Sequence, residues 1–222
     1  MAAKQRLLPG STLDFMAQVR HSVMVALTLA AAAATRTPAE KLAIVLEFQD
    51  GYSAQSVSTM KREVEEAFQD ARLRIDWLSR DQVAGGVLGD LAVIRFRGKC
   101  MFQPGIAAAR EPAALAVTHV SDGVVLPFSD VACDRIAALV QPFMPGTKAA
   151  RGDALFGRAM GRVVAHELVH ILSRSIAHGT TGVVEPALSA GQLTSDALDL
   201  GWRRRRGGSF SFLFSGQRSM LP

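Results

Sequence analysis

Between residues 40 and 175 the hydrophobic and polar positions fall into two kinds of period. Leu42 to Phe48 (LAIVLEF) is apolar on consecutive positions until Glu47, the mark of a strand covered on both faces. From Ser53 to Asp70 the apolar residues Val57, Met60, Val64 and Phe68 recur at three- and four-residue spacing with charges between them, which predicts an amphipathic helix. Leu73 to Leu78 alternates Leu, Ile and Trp with Arg and Asp and reads as a half-buried strand; Leu91 to Arg97 and Ala113 to Val120 read as a third and a fourth. Gly85-Gly86 and Gln103-Pro104-Gly105 punctuate them. Ser129 or Asp130 can cap a helix carrying Val131, Ile136, Leu139 and Val140, which Pro142 to Gly146 ends. A longer helix is expected from about Asp153 to Ser175, and a short one from Thr194 to Leu200. The order predicts one α+β domain over residues 38–200: a mixed four-stranded sheet with helices mainly on one face and a long buried helix.

The two ends of the chain depart from this pattern. Val23 to Ala34 is apolar or small except for Thr28, follows Arg20 and precedes a polar stretch, the order of a secretory leader. Twelve helical residues cover about 18 Å, short of the roughly 30 Å of a bilayer core. Residues 1–34 are therefore expected to be a signal peptide or hydrophobic leader, and the rest a secreted or periplasmic protein with no stable membrane span. Residues 201–222 show no clear period and are expected to form a basic, loose tail.

Charge narrows the partners. The chain of 222 residues has 25 Lys and Arg against 20 Asp and Glu. Without the leader's Lys4, Arg6, Arg20 and Asp14, 22 and 19 remain, and four of those cations sit together at Arg203 to Arg206. An excess so local argues against a nucleic-acid-binding face. The 2 cysteines, Cys100 and Cys133, lie downstream of the leader and, in an exported chain, are expected to pair. Neither has a second Cys or His at ligand spacing.

The chemistry sits in the long helix, where His166-Glu167-Leu168-Val169-His170 matches H-E-x-x-H. Residues four apart on a helix are neighbours about 6 Å apart along the axis, so two neutral imidazoles can reach one Zn²⁺ at ~2.0–2.1 Å. Glu167 projects beside the metal, where its carboxylate can take a proton from an acidified water and pass it to a leaving amine. Val163, Val164, Leu168, Val169, Ile171 and Leu172 make the helix apolar nearly all round, so charged and polar groups on it need a reason to be there.

The segment 163–172 (Val-Val-Ala-His-Glu-Leu-Val-His-Ile-Leu) resembles the active-site helix of the zincin metallopeptidases, and the preceding strand and helix order is similar to their N-terminal half. That resemblance implies Zn²⁺ on His166 and His170, Glu167 as general base, a peptide or protein substrate, and an antiparallel edge strand, here Ala113 to Val120, that aligns it. The third ligand departs from the known subgroups. Ser173 stands at the metzincin glycine and Ile176 at the metzincin third histidine. His178, eight residues after His170, can serve if the helix ends near Arg174–Ala177 and the chain folds back, with Gly179 and Gly182 to make the return. Glu185 is the fallback, a carboxylate of the gluzincin kind, and Asp196 follows. The metzincin Met-turn is replaced by Gly182-Val183-Val184, and an oxyanion stabiliser would have to be His119 or the single tyrosine, Tyr52. The expectation is a zinc-dependent metallopeptidase; the alternative is a non-catalytic zinc-binding or structural protein on a degenerate zincin fold.

Overall fold

The computed structural model describes residues 40–71, 73–83, 90–108 and 113–197; the expected leader, the basic tail and the end of the expected Thr194–Leu200 helix lie outside them. Five strands, β1 (Glu40–Phe48), β2 (Leu73–Leu78), β3 (Asp90–Arg97), β4 (Ala116–Ser121) and β5 (Val124–Ala132), form one sheet in the order β2-β1-β3-β5-β4. Pairing is parallel except between β4 and β5, so the sheet is mixed and β4 is its antiparallel edge. The helices are α1 (Ala54–Phe68), α2 (Cys133–Val140), α3 (Ala149–Ser173) and the short α4 (Ala190–Thr194). Among the described residues no helix is long and apolar enough to cross a membrane.

The α+β class holds, but the sheet has five strands where four were expected. The strand missed is β5, which contains both Ser129 and Asp130, the residues expected to cap a helix; α2 begins only at Cys133. Asp122 and Gly123 both take positive φ, 51° and 78°, and close a two-residue hairpin of the twist that suits antiparallel strands. Pro127 lies within this strand. It falls where the β4–β5 register breaks, and β5 pairs with β3 only from Phe128 onward, so no ladder bond needs its missing N–H. The hairpin also shifts the edge strand from the expected Ala113–Val120 to Ala116–Ser121. The long helix starts four residues earlier than expected, at Ala149, and ends two earlier, at Ser173.

One sheet face (Leu42, Ile44, Ala92, Ile94, Phe96 and Val131) shares its core with Met60, Val64 and Phe68 of α1 and with Met160, Val164 and Leu168 of α3. The two helices approach closely because α3 meets α1 with glycine. A Cβ on Gly157 would stand 2.4 Å from the Ser56 carbonyl oxygen, and one on Gly161 2.6 Å from Glu63 Cβ. Asp153 fixes the start of this contact: its carboxylate accepts from Ser53 Oγ at 2.8 Å, Ser56 Oγ at 3.0 Å and the Phe102 N–H at 2.8 Å. The expected bridge between Cys100 and Cys133 is present, with Cα atoms 5.1 Å apart, and ties the segment after β3 to the start of α2.

Candidate metal centre

His166 and His170 lie one turn apart near the C-terminal end of α3. Each ring is fixed by its Nδ1, which donates to a backbone carbonyl: His166 to Val183 at 2.7 Å and His170 to Ser175 at 2.8 Å. With Nδ1 carrying the proton, Nε2 carries the lone pair, and the two Nε2 atoms face each other 3.0 Å apart. Burial holds both imidazoles below the ordinary histidine pKa, against the opposing effect of those carbonyl bonds. Burial thus favours the neutral form, the one that ligates.

His178 completes a triad. Its ring centroid is 5.3 Å from that of His166 and 4.8 Å from that of His170, and one ring nitrogen from each histidine lies within 4.8 Å of the others. The helix ends within the expected Arg174–Ala177 segment, but the turn is made by Arg174 and not by a glycine. Arg174 takes left-handed φ 52° and ψ 37° and caps the helix, and the Ser175 N–H bonds back to the His170 carbonyl at 3.2 Å. Gly179 instead donates its N–H to Val184 at 2.7 Å and closes the loop that presents the Val183 carbonyl. Three imidazoles at these separations suit a tetrahedral divalent ion, whose ligands stand about 3.4 Å apart for bonds near 2.1 Å.

Glu167 is 5% exposed and turns toward the edge strand. Thr118 Oγ1 donates to its Oε2 at 2.5 Å, and Thr118 Oγ1 lies 2.7 Å from Ser129 Oγ. Burial raises the Glu167 pKa above the usual carboxylate range, opposed by the Thr118 bonds and by His170. Triad and carboxylate line a cleft of about 720 Å³ between α3 and the edge of the sheet. Ala116 to Thr118 of β4 form one wall, Leu139 and Val163 lie in its apolar part, and Glu185 to Leu188 close the other side.

The other candidates are placed elsewhere. Glu185 lines the cleft, but its Oε1 accepts from the Gly182 N–H at 2.7 Å and Gln192 Nε2 at 3.0 Å, so it braces the loop behind His166 and does not join the cluster. Asp196 is exposed and pairs with Arg158 at 2.8 Å. His119, next to Thr118 but on the opposite face of β4, pairs with Asp130 at 2.9 Å. Tyr52 packs against Phe48, ring centroids 4.4 Å apart and planes tilted by 31°. Sequence reasoning passed over Thr118, for which strand alternation was the only signal. It also passed over the Val183 and Ser175 carbonyls, which leave no trace in side-chain patterns.

Comparison with known proteins finds no matching family model, no matching curated protein and no matching solved structure.

Proposed function

We propose that this chain is an exported zinc-dependent hydrolase that cuts peptide bonds. The observation that carries the reading is the convergence of three imidazoles beside a buried carboxylate in a cleft walled by the sheet's edge strand. His166, His170 and His178 would hold the ion, the first two through Nε2. Bound zinc would polarise a substrate carbonyl and bring the pKa of water toward ~7. Glu167 serves as base: its burial raises proton affinity toward the working range of neutral-pH catalysis, and it lies next in sequence to one ligand and three residues from another. Strand β4, paired among the described residues with β5 alone, offers backbone N–H and C=O groups along the cleft to an extended peptide. The Cys100–Cys133 bridge supports an oxidising destination.

Metal analysis of the purified protein, paired with a casein assay, tests the reading. One zinc per chain, lost in His166→Ala, and proteolysis abolished in Glu167→Gln with zinc retained are the expected results. Absence of zinc from the wild type, or full activity in Glu167→Gln, overturns it.

A further inference from the structure

We propose that Thr118 and Ser129 are positioning residues for Glu167, forming a chain of two hydroxyls that holds the carboxylate as a base and keeps it off the metal. The inference rests on the hydrolase reading above and adds to it two residues outside the metal-binding helix. Ser129 is 1% exposed and sits directly across from Thr118 in the β4–β5 register. An ionised carboxylate only accepts, so Thr118 must donate to Glu167, and Ser129 is left to donate to Thr118. The 2.5 Å bond from Thr118 Oγ1 is in the range of charge-assisted O–H···O⁻ contacts, the strong class. Its supply of a second hydroxyl at 2.7 Å polarises it further.

The backbone is arranged for this contact. The β4–β5 register shifts between Thr118 and Val120, and such irregularities re-aim side chains next to functional sites. His119 keeps to the opposite face, with Asp130. Next to two imidazoles that would share a divalent cation, an untethered carboxylate is drawn in as a further ligand. Thr118 opposes that by fixing Oε2 to the strand, while Oε1 accepts no side-chain bond among the described residues. The tether reaches from β5 through β4 to α3, so the position of the base is set by the sheet.

The test uses the full chain with Thr118→Val, Thr118→Ser and Ser129→Ala. In the zinc-loaded protein, Thr118→Val is expected to lower kcat by about ten- to hundredfold, within the range of a misplaced general base, with KM and zinc content unchanged. Thr118→Ser, which keeps the hydroxyl, is expected to recover kcat to within about threefold of wild type, and Ser129→Ala to fall between. A second readout needs no turnover. The antisymmetric carboxylate stretch that disappears from the infrared spectrum in Glu167→Gln is expected to shift in Thr118→Val and to stay in place in Thr118→Ser. A kcat for Thr118→Val within twofold of wild type, or an unshifted carboxylate band, overturns the inference. Should Thr118→Val not fold, Ser129→Ala decides by the same two criteria. A wild type that binds zinc and cleaves no peptide defeats the hydrolase reading, and the infrared band then judges the tether by itself.

Discussion

The Nε2 atoms of His166 and His170 stand 3.0 Å apart while each ring's Nδ1 is committed to a carbonyl. Two lone pairs so placed repel unless a cation or proton lies between them. A divalent ion taken up between them would therefore stabilise the folded chain. Removing zinc with a chelator is expected to lower Tm by about 8–16 °C, from roughly 4 kcal/mol of linkage at a thousandfold excess over Kd. His170→Ala is expected to abolish that difference, and His178→Ala to reduce it while leaving weak binding. Calorimetric scans of the three proteins with and without chelator read the result, and a chelator-insensitive wild type contradicts it.

The disulfide carries its own expectation. Cys100 and Cys133 are 33 residues apart, and closing a loop of that size stabilises by about 3–4 kcal/mol in the chain-entropy model. Replacing both by serine is expected to lower Tm by roughly 6–16 °C. The pair is remote in sequence from the histidines, so zinc stoichiometry measured below the new transition should stay at the wild-type value.

At the crossing of α1 and α3, Gly157→Ala sets two effects against each other. Helix propensity favours alanine by about 1 kcal/mol. The new Cβ, however, meets the Ser56 carbonyl oxygen at 2.4 Å, and a backbone oxygen moves only if α1 moves with it. Overpacking of this kind costs about 1–3 kcal/mol, so the clash wins and the denaturant midpoint falls. Gly191→Ala in α4 meets nothing closer than 4.0 Å and should leave the midpoint unchanged or slightly raised.

Arg174 occupies left-handed backbone that glycine adopts without penalty and other residues adopt at a cost of about 1–2 kcal/mol. Arg174→Gly is expected to raise stability by about 0.5–1 kcal/mol, part of the relief being lost to the freer unfolded chain. Arg174→Val, β-branched, is expected to destabilise and to weaken metal binding, since this residue turns the chain toward His178. Chemical denaturation and zinc titration of both variants measure the two effects.

How legible the molecule was depends on the range of the interaction that decides each feature. Strands β1 and β2, helix α1 and the His166–His170 spacing are local periodicities, and they lie where the pattern put them. Strand β5 was misread because Ser129 and Asp130, expected to cap a helix, are ambiguous until the partner strands are known. Ser129 faces Thr118 in the ladder and caps nothing. His178 could be named as a ligand by chemistry, but its return depends on a non-glycine residue in left-handed conformation, which no residue preference signals. The final supports of the site are carbonyls, and every residue has one.

Glu185 connects the Gly182 N–H to Gln192, the Gln192 carbonyl accepts from Arg162, and Arg162 is 3.4 Å from Glu63 on α1. The loop bearing the oxygen that orients His166 is thus fastened, link by link, to the far side of the helical layer. Any metal affinity of the triad would then gauge how well two helices are seated: damage at their crossing should weaken metal binding before any ligand is touched.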